Sequence, residues 1–190
     1  MPVRRVTIDF SDEMRDELHM LCEWFVEVVN ELPPDHPDNA IHGLYYMPDD
    51  VPAPIAKRNH AYTGFGAEMA LARWLGIPYV KAEKNARDVA GFEVRATQYA
   101  NGHLQLRQPN ATFGGDKNGV YVLGTVEMSA NWHVNAVTLC GWQHTDMIKN
   151  DDNTRLWPSG YVWAVPQSAL HPIGTLPAHN KKATVNNGIP

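Results

Sequence analysis

The chain of 190 residues predicts an α+β fold, with helices flanking a mixed β-sheet. Two helical patterns come first, and a run of alternating apolar segments follows them. Fourteen Gly and fourteen Pro point to many turns rather than a helical bundle. With 44% apolar residues the chain carries enough for a sizeable core. Residues 1–176 read as a single domain, and 177–190 (PAHNKKATVNNGIP) as a flexible C-terminal tail.

The elements follow in order. VRRVTID, residues 3–9, has the pattern of a short edge strand. Ser11 is placed to cap a helix, with Asp12 and Glu13 in the first turn, where the helix dipole favours acids. Met14, Leu18, Leu21, Phe25, Val28 and Leu32 recur at spacings of three and four and make one apolar face. Pro33-Pro34 end it. Residues 33–58 are rich in Pro and Asp and read as a long irregular connection; His36 and His42 in it have no second ligand at a metal-like spacing. Thr63 then reads as an N-cap, with AEMALARWLG running from Ala67 to a stop at Gly76-Ile77-Pro78. Strands are expected at 79–81, 86–89, 92–98, 103–107, 120–128, 134–142 and 161–165, the sheet beginning as hairpins. QSALHPIGTL, 167–176, reads as a short helix capped by Ser168.

Charge and cysteine usage narrow the function. A net charge of −5 and a pI of about 5.9 exclude coating of nucleic acid by bulk charge. They leave room for an enzyme that grips nucleic acid locally, through a metal ion and a few Arg or Lys. Cys22 and Cys140 fall in apolar patterns and read as buried free thiols of a reducing compartment. No signal-peptide pattern opens the chain, and no apolar run approaches the roughly 18 residues of a membrane span. The expectation is a cytoplasmic protein without a membrane partner. The oligomeric state stays open, a homodimer included.

Chemistry concentrates in DVAGFEVR, residues 88–95. A tight turn at Ala90-Gly91 sets Val89 opposite Phe92 and Asp88 opposite Glu93. Alternation then puts Asp88, Glu93 and Arg95 on one face and Val89, Phe92, Val94 and Ala96 on the other. Two opposed carboxylates repel. A shared proton, a surface ion pair with Arg95, or a divalent metal with oxygen ligands would each relieve that. A third acid, Glu68, lies on the helix face of Leu71, Ala72 and Leu75, where it must be paired, metal-bound or at the edge of the stripe.

Glu68 on a helix, then Asp88, then Glu93-Val94-Arg95 resembles the PD-(D/E)XK nuclease superfamily. GFGAEMALARWLGIP…RDVAGFEVRATQ and YVLGTVE…VTLCGW…VPQSALHPI are also similar to small proteins of phages and actinobacteria assigned to it. The likeness spans about residues 60–176. It implies a restriction-endonuclease-like fold, with a mixed central β-sheet flanked by helices. It also implies hydrolysis of phosphodiester bonds in DNA, with Glu68, Asp88, Glu93 and Arg95 as catalytic residues. Asp88, Glu93 and the Val94 carbonyl would hold Mg²⁺ or Mn²⁺, Glu68 joining them directly or through water, and the metal would activate a water molecule.

The departure from the family is Arg95, where Lys is usual. An Arg stays protonated, so it clamps a phosphate oxygen but does not accept a proton. Lys81 and Lys84 stand upstream as substitutes, and Lys84 and Arg107 are the candidates for binding substrate. Gln98 is one place off the face of Arg95. Trp132, Trp142, Trp157 and Trp163 are candidates for base stacking, with packing as the simpler role. His60 and Tyr62 lie within reach of a substrate, and His171 reads as structural. The rival readings are a nuclease fold that binds nucleic acid or protein without cutting, and a glycosidase using Asp88 and Glu93.

Overall fold

The computed structural model describes residues 4–30, 53–81, 87–109, 116, 118–157 and 160–177. Most of the Pro- and Asp-rich connection, Lys84 and nearly all of the expected tail lie outside them.

Strand β1 (Val6–Asp9) leads into helix α1 (Asp12–Asn30), and helix α2 (Ala53–Leu75) follows. Then come β2 (Glu93–Thr97), β3 (Leu104–Arg107), β4 (Val120–Met128) and β5 (Val134–His144). A single turn, α3 (Thr145–Ile148), precedes β6 (Thr154–Trp157) and β7 (Gly160–Val165). The strands form two sheets, ordered β1-β5-β4-β2 and β3-β7-β6. Every pairing is antiparallel except that of β2 with β4.

The fold is therefore α+β and layered. One core joins α1 and α2 to one face of the first sheet, through Leu18, Cys22, Ala67, Leu71, Val94, Val122 and Val137. The other face, with Tyr121, Leu123 and Cys140, packs on Leu104, Leu106 and Val165 of the second sheet. Successive strand residues point to opposite faces, so β4 feeds Val122 and Val126 to the helices and Tyr121 and Leu123 to the second sheet. The helices cover one side of the central sheet, and a second sheet covers the other.

Local chemistry explains the elements that fall where expected. The Met14 amide donates to Ser11 Oγ at 3.3 Å, capping α1. Gly76, at φ 69°, ends α2: its amide reaches the Arg73 carbonyl at 3.1 Å, and the Ile77 amide reaches that of Ala72 at 3.1 Å. That is the double closure of a Schellman motif. Both thiols are free and buried.

Several expectations are corrected. Helix α2 starts at Ala53, inside the expected connection, because Pro54 in a first turn loses no hydrogen bond. Thr63 is thus no N-cap: its hydroxyl donates to the Asn59 carbonyl one turn back, at 2.7 Å. On α1 the buried line is Leu18, Cys22 and Val26, while Val28 is 39% exposed. Residues 79–81 form no strand; of the expected strand 86–89, residue 86 lies outside the described residues, and of 87–89 only Val89 makes a bridge, to Phe92. The first sheet does not grow from consecutive hairpins, since β2 lies parallel to β4. Strand β6, TRLW, was not expected. The segment 167–176 is two short 3-10 turns, Gln167–Ala169 and Ile173–Thr175, with Pro166 rather than Ser168 at the first cap position. Pro172 removes the amide that a continuous helix would need there.

Candidate functional site at the edge of β2

The octapeptide DVAGFEVR turns where its pattern predicts. Ala90 and Gly91 both have positive φ, 50° and 87°. Val89 and Phe92 exchange both backbone hydrogen bonds, at 3.1 and 2.8 Å. This is a two-residue hairpin turn of the I′ kind. Val89, Phe92 and Val94 sit in the helix-side core, and Ala96 packs against it. In register, Glu93 and Arg95 lie beside Tyr121 and Leu123 of the parallel partner β4, both of which face the second sheet.

Each charge on this flank has a partner. Asp88 Oδ2 accepts from the Val94 amide at 2.7 Å. Glu93 is buried, and Arg87 donates to its Oε1 at 3.2 Å. Arg87 also donates to the Asn118 carbonyl. Gly119, at φ 151°, leaves room for it: a Cβ there would lie 2.6 Å from the guanidinium. Arg95 pairs with Asp116 at 2.9 Å and lies 5.1 Å from the centre of the Tyr121 ring. Burial opposes its charge, but Asp116, with Tyr121, Asp88 and Glu93, raises its pKa above the ordinary value. Asp116 also accepts from the Arg107 amide at 2.6 Å, and its carboxylate is only 6% exposed. Arg107 itself is exposed at the end of β3 and joins the site through Asp116.

Glu68 approaches from the helix layer. Tyr79 donates to its Oε2 at 2.7 Å. Burial, followed by the charge of Asp88, pushes its pKa up to about 7; Glu93 adds to this, while Tyr79 and Lys81 pull the other way. Glu68 therefore senses the charges of Asp88 and Glu93 across the edge of the sheet. They do not close into one ligand shell: among the described residues no three His, Cys, Asp or Glu are gathered to hold a metal ion. The cause is topological, because Glu93 faces the second sheet while α2 packs on the opposite face. In kind the donors fit a hard divalent cation, being oxygens only.

The other candidates are placed as follows. Gln98 donates to Thr63 Oγ1 at 2.8 Å and to Asn59, tying β2 to α2. Tyr62 is buried and bonded to His19 at 2.5 Å, and its ring stacks with Trp132. His171 and Trp142 exchange backbone bonds at 3.1 and 2.9 Å and stack at 4.6 Å, a structural pairing. Trp163 packs beside Lys149, and Trp157 ends β6. His60 lines a cavity that also holds Glu68. Sequence reasoning missed Arg87, Tyr79 and Asp116. Arg87 adjoins the motif and was open to notice. Tyr79 falls in an expected strand that does not form, Asp116 in an expected turn, and no local signal marks either as a partner of the acids and Arg95.

Among the described residues no helix is long and apolar enough to cross a membrane. Compared with known proteins, the chain matches no family model, no curated protein and no solved structure.

Proposed function

We propose that this chain is a metal-dependent nuclease of the PD-(D/E)XK type, with a restriction-endonuclease-like core, that hydrolyses phosphodiester bonds in DNA. The observation that carries the reading is Glu68, a helix acid whose pKa is pushed up to about 7, first by burial and then by the charge of Asp88, with Glu93 adding to it. Asp88, Glu93 and the Val94 carbonyl would hold Mg²⁺ or Mn²⁺, with Glu68 completing the set from the helix. Bound there, the ion would polarise the scissile phosphate and supply hydroxide near neutral pH. The chain's own contribution is orientation. The Val94 amide fixes Asp88, Arg87 fixes Glu93, and Arg95 holds a permanent positive charge on the strand.

The test is incubation of the full chain with single- and double-stranded DNA, with Mg²⁺, Mn²⁺ or a chelator. Metal-dependent cleavage that falls to background in the Asp88→Ala, Glu93→Ala double variant is expected. No cleavage of any substrate, or cleavage that survives both substitutions, defeats the reading. One observation favours a second reading, a binding module of the same fold: Arg95 is engaged with Asp116 rather than left open to a phosphate. Metal-independent DNA binding without turnover would select it.

A further inference from the structure

Beside Glu68 lies a cavity of about 160 Å³, with Phe25, Gly64, Phe65 and Lys81 also in its wall. Lys81 stands apart from the other cations near the site. Arg87 and Arg95 each meet a carboxylate, on Glu93 and Asp116. Lys81 forms no ion pair among the described residues. Its ammonium instead sits 4.5 Å from the ring centres of Phe25 and Phe65 and 4.8 Å from that of Trp24. Ring faces attract a cation without neutralising it, so the charge remains available to an anion.

Two independent features point the same way. Trp24 is 52% exposed, a large aromatic surface on α1 directly beside this ammonium. Gly64 stands in the middle of α2, where Gly is a poor helix former. A Cβ built there meets nothing within 4 Å, whereas one on Gly66 would touch Leu18 and Val134 at 3.7 Å. Packing thus gives no reason for a glycine at 64; what its bareness provides is open cavity wall.

We propose that this cavity receives a phosphate of an unpaired DNA strand, with Lys81 donating to a phosphate oxygen and the exposed Trp24 ring, beside Lys81 but outside the cavity wall, stacking the attached base. A stacking platform beside an unneutralised cation is the combination that single-strand binding uses. A chain of net charge −5 must grip the backbone at such local points. Burial draws the Lys81 pKa down and Glu68 draws it up; a bound phosphate adds to the second effect. In a duplex the bases are already stacked and have no face to offer Trp24. The inference rests on the nuclease reading and names its substrate as single-stranded.

The test uses the full chain in chelator, so that nothing is cut, with a fluorescent oligothymidine and a hairpin duplex, read by anisotropy across a salt series. Lys81→Met is expected to weaken single-strand binding and to reduce the slope of log affinity against log salt by about 0.7. Trp24→Ala is expected to weaken it by about five- to a hundredfold, and Trp24→Phe to keep most of it. Gly64→Leu, which fills the cavity, is expected to keep or raise the melting temperature and lose single-strand binding. Binding as in the wild type in all three disruptive variants overturns the proposal, as does equal loss for duplex and single strand, or no binding by the wild type. If cleavage occurs while these variants bind normally, only the subsite fails. If binding depends on Lys81 and Trp24 but nothing is ever cut, only the nuclease reading fails.

Discussion

The two flanks of the β2 edge stabilise charge in opposite ways. On the hairpin flank, Arg87, Glu93, Arg95 and Asp116 close onto one another, and Asp88 closes onto a backbone amide. On the helix flank, Lys81 sits among ring faces and feels the charge of Glu68 without an ion pair to it among the described residues, and Glu68 is held by a phenol that cannot neutralise it. The first arrangement fixes geometry. The second leaves charge unmatched, and unmatched charge responds to pH, metal or ligand.

The largest effect separating the flanks should come from Arg95→Met. It strands the Asp116 carboxylate, 6% exposed, without its cation, and removing one partner of a buried pair costs about 3–5 kcal/mol. Lys81→Met strands nothing and should cost less than about 1 kcal/mol. Urea unfolding of both variants measures the gap, and equal midpoints would erase the distinction drawn between the flanks.

Next in size is the pH dependence carried by Glu68, whose pKa rises from 4.5 unfolded to about 7 folded. Below pH 4.5 the group is protonated in both states and costs nothing. Between 4.5 and 7 the unfolded chain releases the proton while the folded chain keeps it, so stability falls as pH rises. Above 7 the loss levels off, on the order of 3 kcal/mol. Glu68→Gln should match the wild type at pH 4 and exceed it at pH 8. A variant less stable at pH 8 would mean that the ionised Glu68 is well accommodated.

Smaller again is Tyr79→Phe. It removes the hydrogen bond that lowers the Glu68 pKa, and should cost about 1.5 kcal/mol at pH 8 and less at pH 5. A cost independent of pH would point to packing alone. The smallest effect is a gain. Ala90 holds φ 50°, a left-handed conformation that Asn tolerates better. Ala90→Asn should add about 1 kcal/mol by supplying the Asn-Gly pair such turns prefer. No gain would mean that the neighbouring segment already relieves the strain.

The sequence revealed what depends on local pattern. DVAGFEVR shows its turn and both faces because Gly91 punctuates a clean alternation. The end of α2 is visible in Gly76 followed by Pro78. Its beginning was hidden, since Pro54 falls in a Pro- and Asp-rich stretch that reads as a connection, although the first turn of a helix accommodates it. The candidate acids were legible as residue types at a suggestive spacing, but their positions across the sheet were not. That depends on β2 lying parallel to β4, a pairing 28 residues apart that no hairpin signal announces (Glu93 with Tyr121, Thr97 with Thr125). The partner of Arg95 was invisible for the same reason: Asp116 is brought in by tertiary structure. Lys81 was noted as a cation upstream of the motif, but its cage draws Trp24 and Phe25 from α1, more than fifty residues earlier in the chain.

The second sheet carries a consequence for biosynthesis. Its middle strand is β7, the last strand in chain order, inserted between β3 and β6, which are made earlier. Until residues 160–165 leave the ribosome, β3 and β6 lack the neighbour that gives each its ladder among the described residues. Leu104 and Leu106 must wait, half-assembled, on the back of the central sheet. A nascent chain halted before Gly160 would therefore show aggregation-prone strand edges, and the second sheet should close only once β7 has been made.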